Sequence, residues 1–162
     1  MISQTTGYAI SALAYLAGAG ERSVLVREIA EALDQPTPYL AKIVNALSRR
    51  RIVVTQRGIG GGVALAQASA SLSLWDICTA LDDPAVEPRC LLALEGCSDE
   101  RACPAHQFWK SHREAIWSFL RETTLADMAA FEAQRGRAPA ALHPTLSSAS
   151  GAMRSAARHT RH

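Results

Sequence analysis

Apolar residues recur at helical spacing in three successive stretches of the first fifty residues. Tyr8, Ala12, Leu13 and Leu16 share one face before Gly18 and Gly20 interrupt the pattern, which predicts a helix over about Thr6 to Ala17. Leu25, Ile29 and Leu33 are spaced by four, with Glu28 and Glu31 on other faces, and predict a short second helix closed by Asp34, Gln35 and Pro36. Thr37 followed by Pro38 has the form of an N-cap and a first-turn proline. Leu40, Ile43, Val44 and Leu47 then make the apolar stripe of a third helix, Pro38 to Arg50. Two short helices, a tight turn and a capped helix with one apolar and one polar face form a helix-turn-helix pattern.

The period then changes. Ile52 to Gln56 and Val63 to Ala66 read as short strands around Arg57-Gly58-Ile59-Gly60-Gly61-Gly62, a glycine-rich hairpin that would form a wing beside the third helix. Ser73 with Asp76 three residues later is a capping box opening a helix through Leu81. Cys103-Pro104 opens a long helix with Ala105, Phe108, Trp109, Ile116, Phe119 and Leu120 on one broad face, and so apolar a lone helix requires a partner. Beyond Gly136 the chain is Ala, Ser, Pro, His and Arg with few large apolar residues, too little to offset ordering entropy. The expected fold is mainly α with a small β-wing. A winged-helix DNA-binding domain occupies 1–82, a cysteine loop 83–103, a long-helix region 104–135, and a disordered basic tail 136–162.

Composition narrows the class. The chain has 162 residues, 48% of them hydrophobic, which suits one modest domain with an appendage. No stretch approaches the roughly 20 apolar residues of a membrane span, and the first residues lack the basic flank and apolar core of a secretory signal, so a cytoplasmic protein without a membrane partner is expected. Seventeen Lys and Arg against fifteen Asp and Glu give a net charge of +2, but that sum hides opposites. Gln35 to Arg57 holds five basic residues and no acidic one, while Leu81 to Ala130 holds nine acidic and five basic.

An acid-free segment coinciding with a wing topology points to double-stranded DNA. In such a motif the second helix enters the major groove and its first turns reach base edges. Those positions are Thr37, Tyr39, Ala41, Lys42 and Asn45. Lys42 can address guanine or phosphate, Asn45 adenine, and Tyr39 a phosphate or thymine methyl. Arg49, Arg50 and Arg51 continue toward the backbone, and Arg57 at the wing tip faces a minor groove. The bland alternative is a solvated basic face. The glycines precede a strand rather than a helix, so a phosphate-cradling nucleotide loop is rejected; Gly58 and its neighbours let the tip turn sharply and approach the DNA backbone.

Cys90, Cys97, Cys103 and His106 form C-x6-C-x5-C-x2-H. Cys103 and His106, three apart across a helix start, can face one point. Buried inert cysteines, a Cys3His zinc site and a redox thiol pair compete with an iron–sulfur cluster. The absence of tight C-x2-4-C knuckles favours the cluster over zinc. Cys78 lies within the apolar pattern Leu74, Ile77, Cys78, Leu81 and reads as core. His112 reads as a surface or interface residue, and His143, His159 and His162 have no evident role.

Taken together, residues 1–16, Pro38-Tyr39-Leu40-Ala41-Lys42-Ile43, the glycine wing, the three-cysteine loop and Thr124-Leu125-Ala126-Asp127-Met128 resemble the IscR/NsrR/RirA-type winged-helix transcription regulators over about Met1 to Ala130. The resemblance implies a homodimer paired through the long helix, binding palindromic promoter DNA, and sensing iron, nitric oxide or redox state through an iron–sulfur cluster. It implies Cys90, Cys97 and Cys103 as thiolate ligands. It also matches His106 to the histidine completing the two-iron cluster of the IscR type. The NsrR type places an aspartate just before the N-terminal tyrosine, where this chain has Gly7 before Tyr8. A [2Fe-2S] cluster is therefore favoured, with [4Fe-4S] as the alternative. The expected function is a DNA-binding transcription regulator of repressor type. The alternatives are a regulator using zinc or thiol oxidation and, more remotely, a metal-dependent enzyme, for which no carboxylate–histidine pairing, cofactor loop or nucleophile elbow is visible.

Overall fold

The computed structural model describes residues 1–58, 60–92 and 98–134; Ile59, Cys97 and the basic tail lie outside the described residues. In chain order they form α1 (Gln4–Gly18), α2 (Val26–Ala32), α3 (Thr37–Arg49), β1 (Val53–Gln56), β2 (Gly62–Leu65), α4 (Leu74–Ala80), α5 (His106–Glu122) and α6 (Leu125–Gln134). Single 3-10 turns sit at Ser69–Ser71, Pro84–Val86 and Asp99–Arg101. The mainly helical architecture with a small antiparallel wing matches the sequence expectation.

Helix α1 is the centre of the core. Tyr8, Ala9, Ile10, Ala12, Leu13, Ala14 and Leu16 are all buried, and α3, α4, α6 and β2 pack around them. Three alanines among these residues let neighbouring backbones come close. The stripe Leu40, Ile43, Val44 and Leu47 buries one face of α3, as its spacing predicts. Its start lies one residue earlier than the sequence suggests. The Pro36 carbonyl accepts from the N–H groups of Tyr39 and Leu40 at 3.0 and 3.1 Å, so Thr37 is already helical and its hydroxyl makes no cap bond. On α2, Ile29 and Leu33 are buried, but Leu25 is 52% exposed because it is the N-cap residue. Val24 takes the inward position instead.

Three helices end without glycine in a way the sequence conceals. After α2, α3 and α4, Asp34, Arg51 and Asp82 adopt left-handed φ of 51°, 58° and 51°. The next N–H then reaches back five residues in each case: Gln35 to Ala30 O, Ile52 to Leu47 O and Asp83 to Cys78 O, at 2.9 to 3.0 Å. These are Schellman closures. They aim Ile52 into the hairpin and Asp83 into the core.

In the hairpin, Val53 pairs with Leu65 and Gln56 with Gly62, while Val24 and Val63 exchange backbone bonds at 2.9 and 2.8 Å and tie the wing to the segment before α2. Gly58 (φ 95°) and Gly60 (φ 77°) turn the tip through the left-handed region. Gly62 serves a different end, since a Cβ there would lie 2.8 Å from the Val24 carbonyl oxygen.

The capping box at Ser73 and Asp76 forms as the sequence predicts. A matching reciprocal cap joins Thr124 and Asp127, and the two starts are clasped by backbone bonds, Leu74 N–H to Thr123 O at 2.9 Å and Leu125 N–H to Leu72 O at 2.8 Å. The region 104–135 thus holds two helices, and α6 turns back onto α1 with Leu125 fully buried. The broad apolar face of α5 divides. Leu120 is buried against its own chain, while Phe108, Ile116 and Phe119 are exposed, with Phe131 of α6 also uncovered.

Asp83 is 1% exposed. Its Oδ2 accepts the Ser3 N–H and its Oδ1 the Ala85 N–H, each at 2.9 Å. Burial alone would raise its pKa, but the Ser3 and Thr6 hydroxyls and the Ala85 and Ser3 N–H groups outweigh it and hold the carboxyl below its ordinary value. Asp83→Asn should cost about 2 kcal/mol at neutral pH, since it leaves a buried donor without a charged acceptor. Because the folded-state pKa is depressed, this stabilisation is full above the unfolded carboxylate value of about 4 and fades as pH falls through the folded value. Urea unfolding of both chains should therefore show a constant gap from pH 5 to 7 that narrows below about pH 4. A gap unchanged down to pH 3 would contradict it.

Candidate DNA-binding face and cysteine loop

The burial of one side of α3 leaves the other side to solvent. Thr37, Lys42, Asn45 and Arg49 are exposed, and Tyr39 is half-buried at their edge. Arg57 and Gly58, also exposed, sit beyond β1 at the hairpin tip. Two expected contacts are already engaged within the chain. The Arg50 guanidinium pairs with Asp82 at 3.2 Å, and the Tyr39 hydroxyl lies 3.1 Å from Thr5 Oγ1, with its ring edge-on to Tyr8 at 5.9 Å between centroids. The Arg50–Asp82 pair is solvent-exposed and therefore weak, about 0–1 kcal/mol, so a phosphate can compete for the guanidinium.

The cysteines divide in two. Cys78 is fully buried, and burial, with the Asp83 carboxylate adding to it, pushes its thiol up to about 12. It is a core residue. Cys90 and Cys103 are free thiols with partial exposure. His106, three residues after Cys103, is 3% exposed at the first turn of α5, and its N–H donates to the Cys103 carbonyl at 2.9 Å. His112 is exposed, stacked on Phe108 at 4.1 Å.

A carboxylate–histidine pairing invisible in the sequence is present here. His106 Nε2 lies 2.8 Å from Asp99 Oδ1, and Lys110 Nζ donates to both Asp99 oxygens at 3.0 and 2.9 Å. The bond with His106, then Lys110, holds the exposed Asp99 carboxyl below its ordinary pKa. The donor types suit an iron–sulfur cluster: two free thiols, an imidazole and Cys97, which lies outside the described residues. Among the described residues no three metal-ligating side chains converge.

The stretch leading to Cys90 is fastened to α5 by two tryptophans. Trp117 Nε1–H donates to the Ala85 carbonyl at 2.9 Å, and Trp109 Nε1–H to the Arg89 carbonyl at 2.7 Å. Trp117 also meets Trp75 of α4 edge-on at 5.5 Å, and the Arg121 guanidinium stacks on Trp75 at 4.0 Å. Periodicity places Trp109 in the apolar pattern of the long helix but neither indole against these carbonyls.

The family model described as Rrf2, iron-dependent transcriptional regulator, matches residues 2–130. A chain of Aquifex aeolicus (strain VF5) named for HTH-type transcriptional regulation is 36% identical over 130 residues, covering 79% of this chain and 90% of that one. The HTH-type transcriptional regulator IscR of Yersinia pseudotuberculosis (serotype O:1b, strain IP 31758) is 30% identical over 122 residues, covering 75% and 74%. Among solved structures, CymR (YrzC), the global cysteine regulator of B. subtilis, is similar at TM-score 0.69 and 27% identity, over 81% of this chain and 97% of that one.

Thiol reactivity follows from burial and pKa. With the native chain at pH 7.5, an alkylating reagent should label Cys90 and Cys103 and spare Cys78, which labels once denaturant is added. Peptide mass spectrometry reads the sites, and native-state labelling of Cys78 would refute its placement.

Proposed function

The chain belongs to the Rrf2 family of transcriptional regulators, and from that premise we propose that it is a repressor-type regulator binding palindromic promoter DNA as a homodimer and reporting redox, nitric oxide or iron status through an iron–sulfur cluster. Regulation of transcription through DNA, rather than enzymatic turnover, is what the family and its named relatives do. The observation that carries the DNA reading is the two-sided α3. Thr37, Lys42, Asn45 and Arg49 face solvent with Arg57 on the adjoining wing, and no acidic residue lies between Gln35 and Arg57 to repel phosphate. Tyr39, Arg50 and Gly58 complete this face, with Tyr39 and Arg50 first releasing Thr5 and Asp82. The homodimer reading is supported by Phe108, Ile116 and Phe119, an exposed stripe at helical spacing on α5.

Cys90, Cys97 and Cys103 would hold the cluster, with His106 as the fourth ligand once it leaves Asp99. A bound cluster would supply one-electron chemistry and reactivity toward nitric oxide, and [2Fe-2S] is the form favoured by the match of His106 to the IscR-type histidine, with [4Fe-4S] as the alternative. No helix among the described residues is long and apolar enough to cross a membrane.

A second reading has its own observation. With His106 Nε2 taken by Asp99 and with Cys90 and Cys103 as free thiols, the same segment can sense through thiol oxidation or hold zinc. An anaerobic visible spectrum with iron, sulfide and zinc counts separates the readings. Visible absorption with iron and sulfide in equal amounts supports the cluster. A colourless chain that stays colourless after reconstitution ends that reading, and zinc at one per chain without sulfide replaces it.

The wing assignment predicts sequence-dependent loss. Arg57→Ala should weaken binding to A·T-flanked sites more than to G·C-flanked ones in titrations at fixed salt, since narrow A·T grooves concentrate negative potential. Equal loss on both removes Arg57 from the minor groove.

A further inference from the structure

We infer that Trp117, Asp83 and Thr5 are positioning residues of a single-chain relay through which a displacement of the segment before Cys90 reaches the exposed face of α3. The inference rests on the regulator reading for its purpose, though not for its geometry.

The relay starts in the stretch 85–90. Trp109 and Trp117 are eight residues apart on α5, so helix rise separates them by about 12 Å along the axis. They hold the Arg89 and Ala85 carbonyls at 2.7 and 2.9 Å. Between the two anchors the stretch is tied by turn bonds of its own, Glu87 N–H to the Pro84 carbonyl at 3.2 Å and Arg89 N–H to the Glu87 carbonyl at 2.8 Å. Moving Cys90, one residue beyond Arg89, therefore pulls on Ala85 rather than being absorbed on the way.

Ala85 hands the pull to α1. Its N–H donates to Asp83 Oδ1, whose other oxygen accepts the Ser3 N–H, both at 2.9 Å. Ser3 is the N-cap of α1, and its hydroxyl accepts from the Thr6 N–H at 3.2 Å. Asp83 is buried and bonded on both sides, so it cannot follow Ala85 without disturbing the first turn of α1. In that turn, Thr5 Oγ1 meets the Tyr39 hydroxyl at 3.1 Å. Tyr39 belongs to the first turn of α3, between Thr37 and Lys42, and its ring packs edge-on against Tyr8 of α1. Four side-chain hydrogen-bonding groups thus join the cysteine strap to the DNA-facing helix, a contiguous network of the kind that carries coupling when its ends have two arrangements.

The test needs neither DNA nor a cluster. The full chain carrying Cys97→Ser and Cys103→Ser is alkylated at Cys90 with N-ethylmaleimide, Cys78 being protected by burial, and amide hydrogen exchange is read across residues 37–45. In this parent chain, alkylation should raise exchange at Tyr39 to Asn45 at least threefold. Thr5→Val, which removes one bond and keeps similar bulk, and Trp117→Phe, which removes the indole N–H together with part of the ring, should abolish most of that rise. Thr5→Ser, which keeps the hydroxyl, should restore it. Asp83→Asn should act like Thr5→Val; where it fails to fold, the exposed Thr5 variants still decide. A parent chain whose α3 does not respond overturns the relay, as does a full response retained in Thr5→Val. Failure of every form to bind promoter DNA would count against the regulator reading and leave the exchange result standing.

Discussion

Helix α1 has no broad face toward water, and this constraint organises the molecule. A helix apolar all round must be covered on every side, and here α3, α4, α6 and β2 supply the cover. Tyr8, Leu13 and Leu16 fill the layer, and the small residues between them let four elements approach one axis. Burial then creates a polar requirement. The first N–H groups of a helix have no partners within it, and at this end they meet the Ser3 hydroxyl and the Asp83 carboxylate. A buried aspartate would otherwise be costly. Here it sits where a helix start favours negative charge and where bonds from two segments satisfy it.

Much of this was legible as period and punctuation. The stripes of α1 and α3, the two strands of the wing and the Ser73 box all lie in the chain where the structure has them, within one or two residues. What escaped depends on contacts distant in sequence. Thr124 and Asp127 carry the same spacing as Ser73 and Asp76, but only the clasp between Leu72 and Leu125 reveals that the chain folds back there. The three left-handed closures fall on Asp34, Arg51 and Asp82, where glycine would have signalled them. Leu25 matches the α2 stripe in spacing, yet Val24 is the buried residue because it pairs with Val63 of the wing.

The candidate site divides along the same line. Absence of acid between Gln35 and Arg57 marks the exposed face of α3, since charge balance is a property of the sequence itself. The partners of Arg50 and Tyr39 are not, for Asp82 and Thr5 arrive from other helices. Cysteine spacing motivates the proposed ligand set, whereas the bond between His106 and Asp99 arises because a 3-10 turn at Asp99–Arg101 brings an exposed carboxylate back over the start of α5. Glycines in the wing are also of two kinds. Gly58 and Gly60 are needed for their left-handed backbone, and Gly62 for the nearness of Val24.

Magnitudes decide how far such a network can act. Hydrogen bonds of this type contribute about 1 kcal/mol each, and allosteric couplings commonly amount to 1–3 kcal/mol. Loss or weakening of one or two bonds between Ala85 and Tyr39 could therefore change the set of α3 by an amount worth about tenfold in affinity, since 1.4 kcal/mol is a factor of ten. A larger response requires more than this chain alone. Two copies joined through Phe108, Ile116 and Phe119 would present two α3 helices to one duplex, and a shift at each would count twice. The relay sets the response of one protomer. The uncovered face of α5, on a helix whose covered side anchors the stretch before Cys90 through Trp109 and Trp117, is where two such responses would be added.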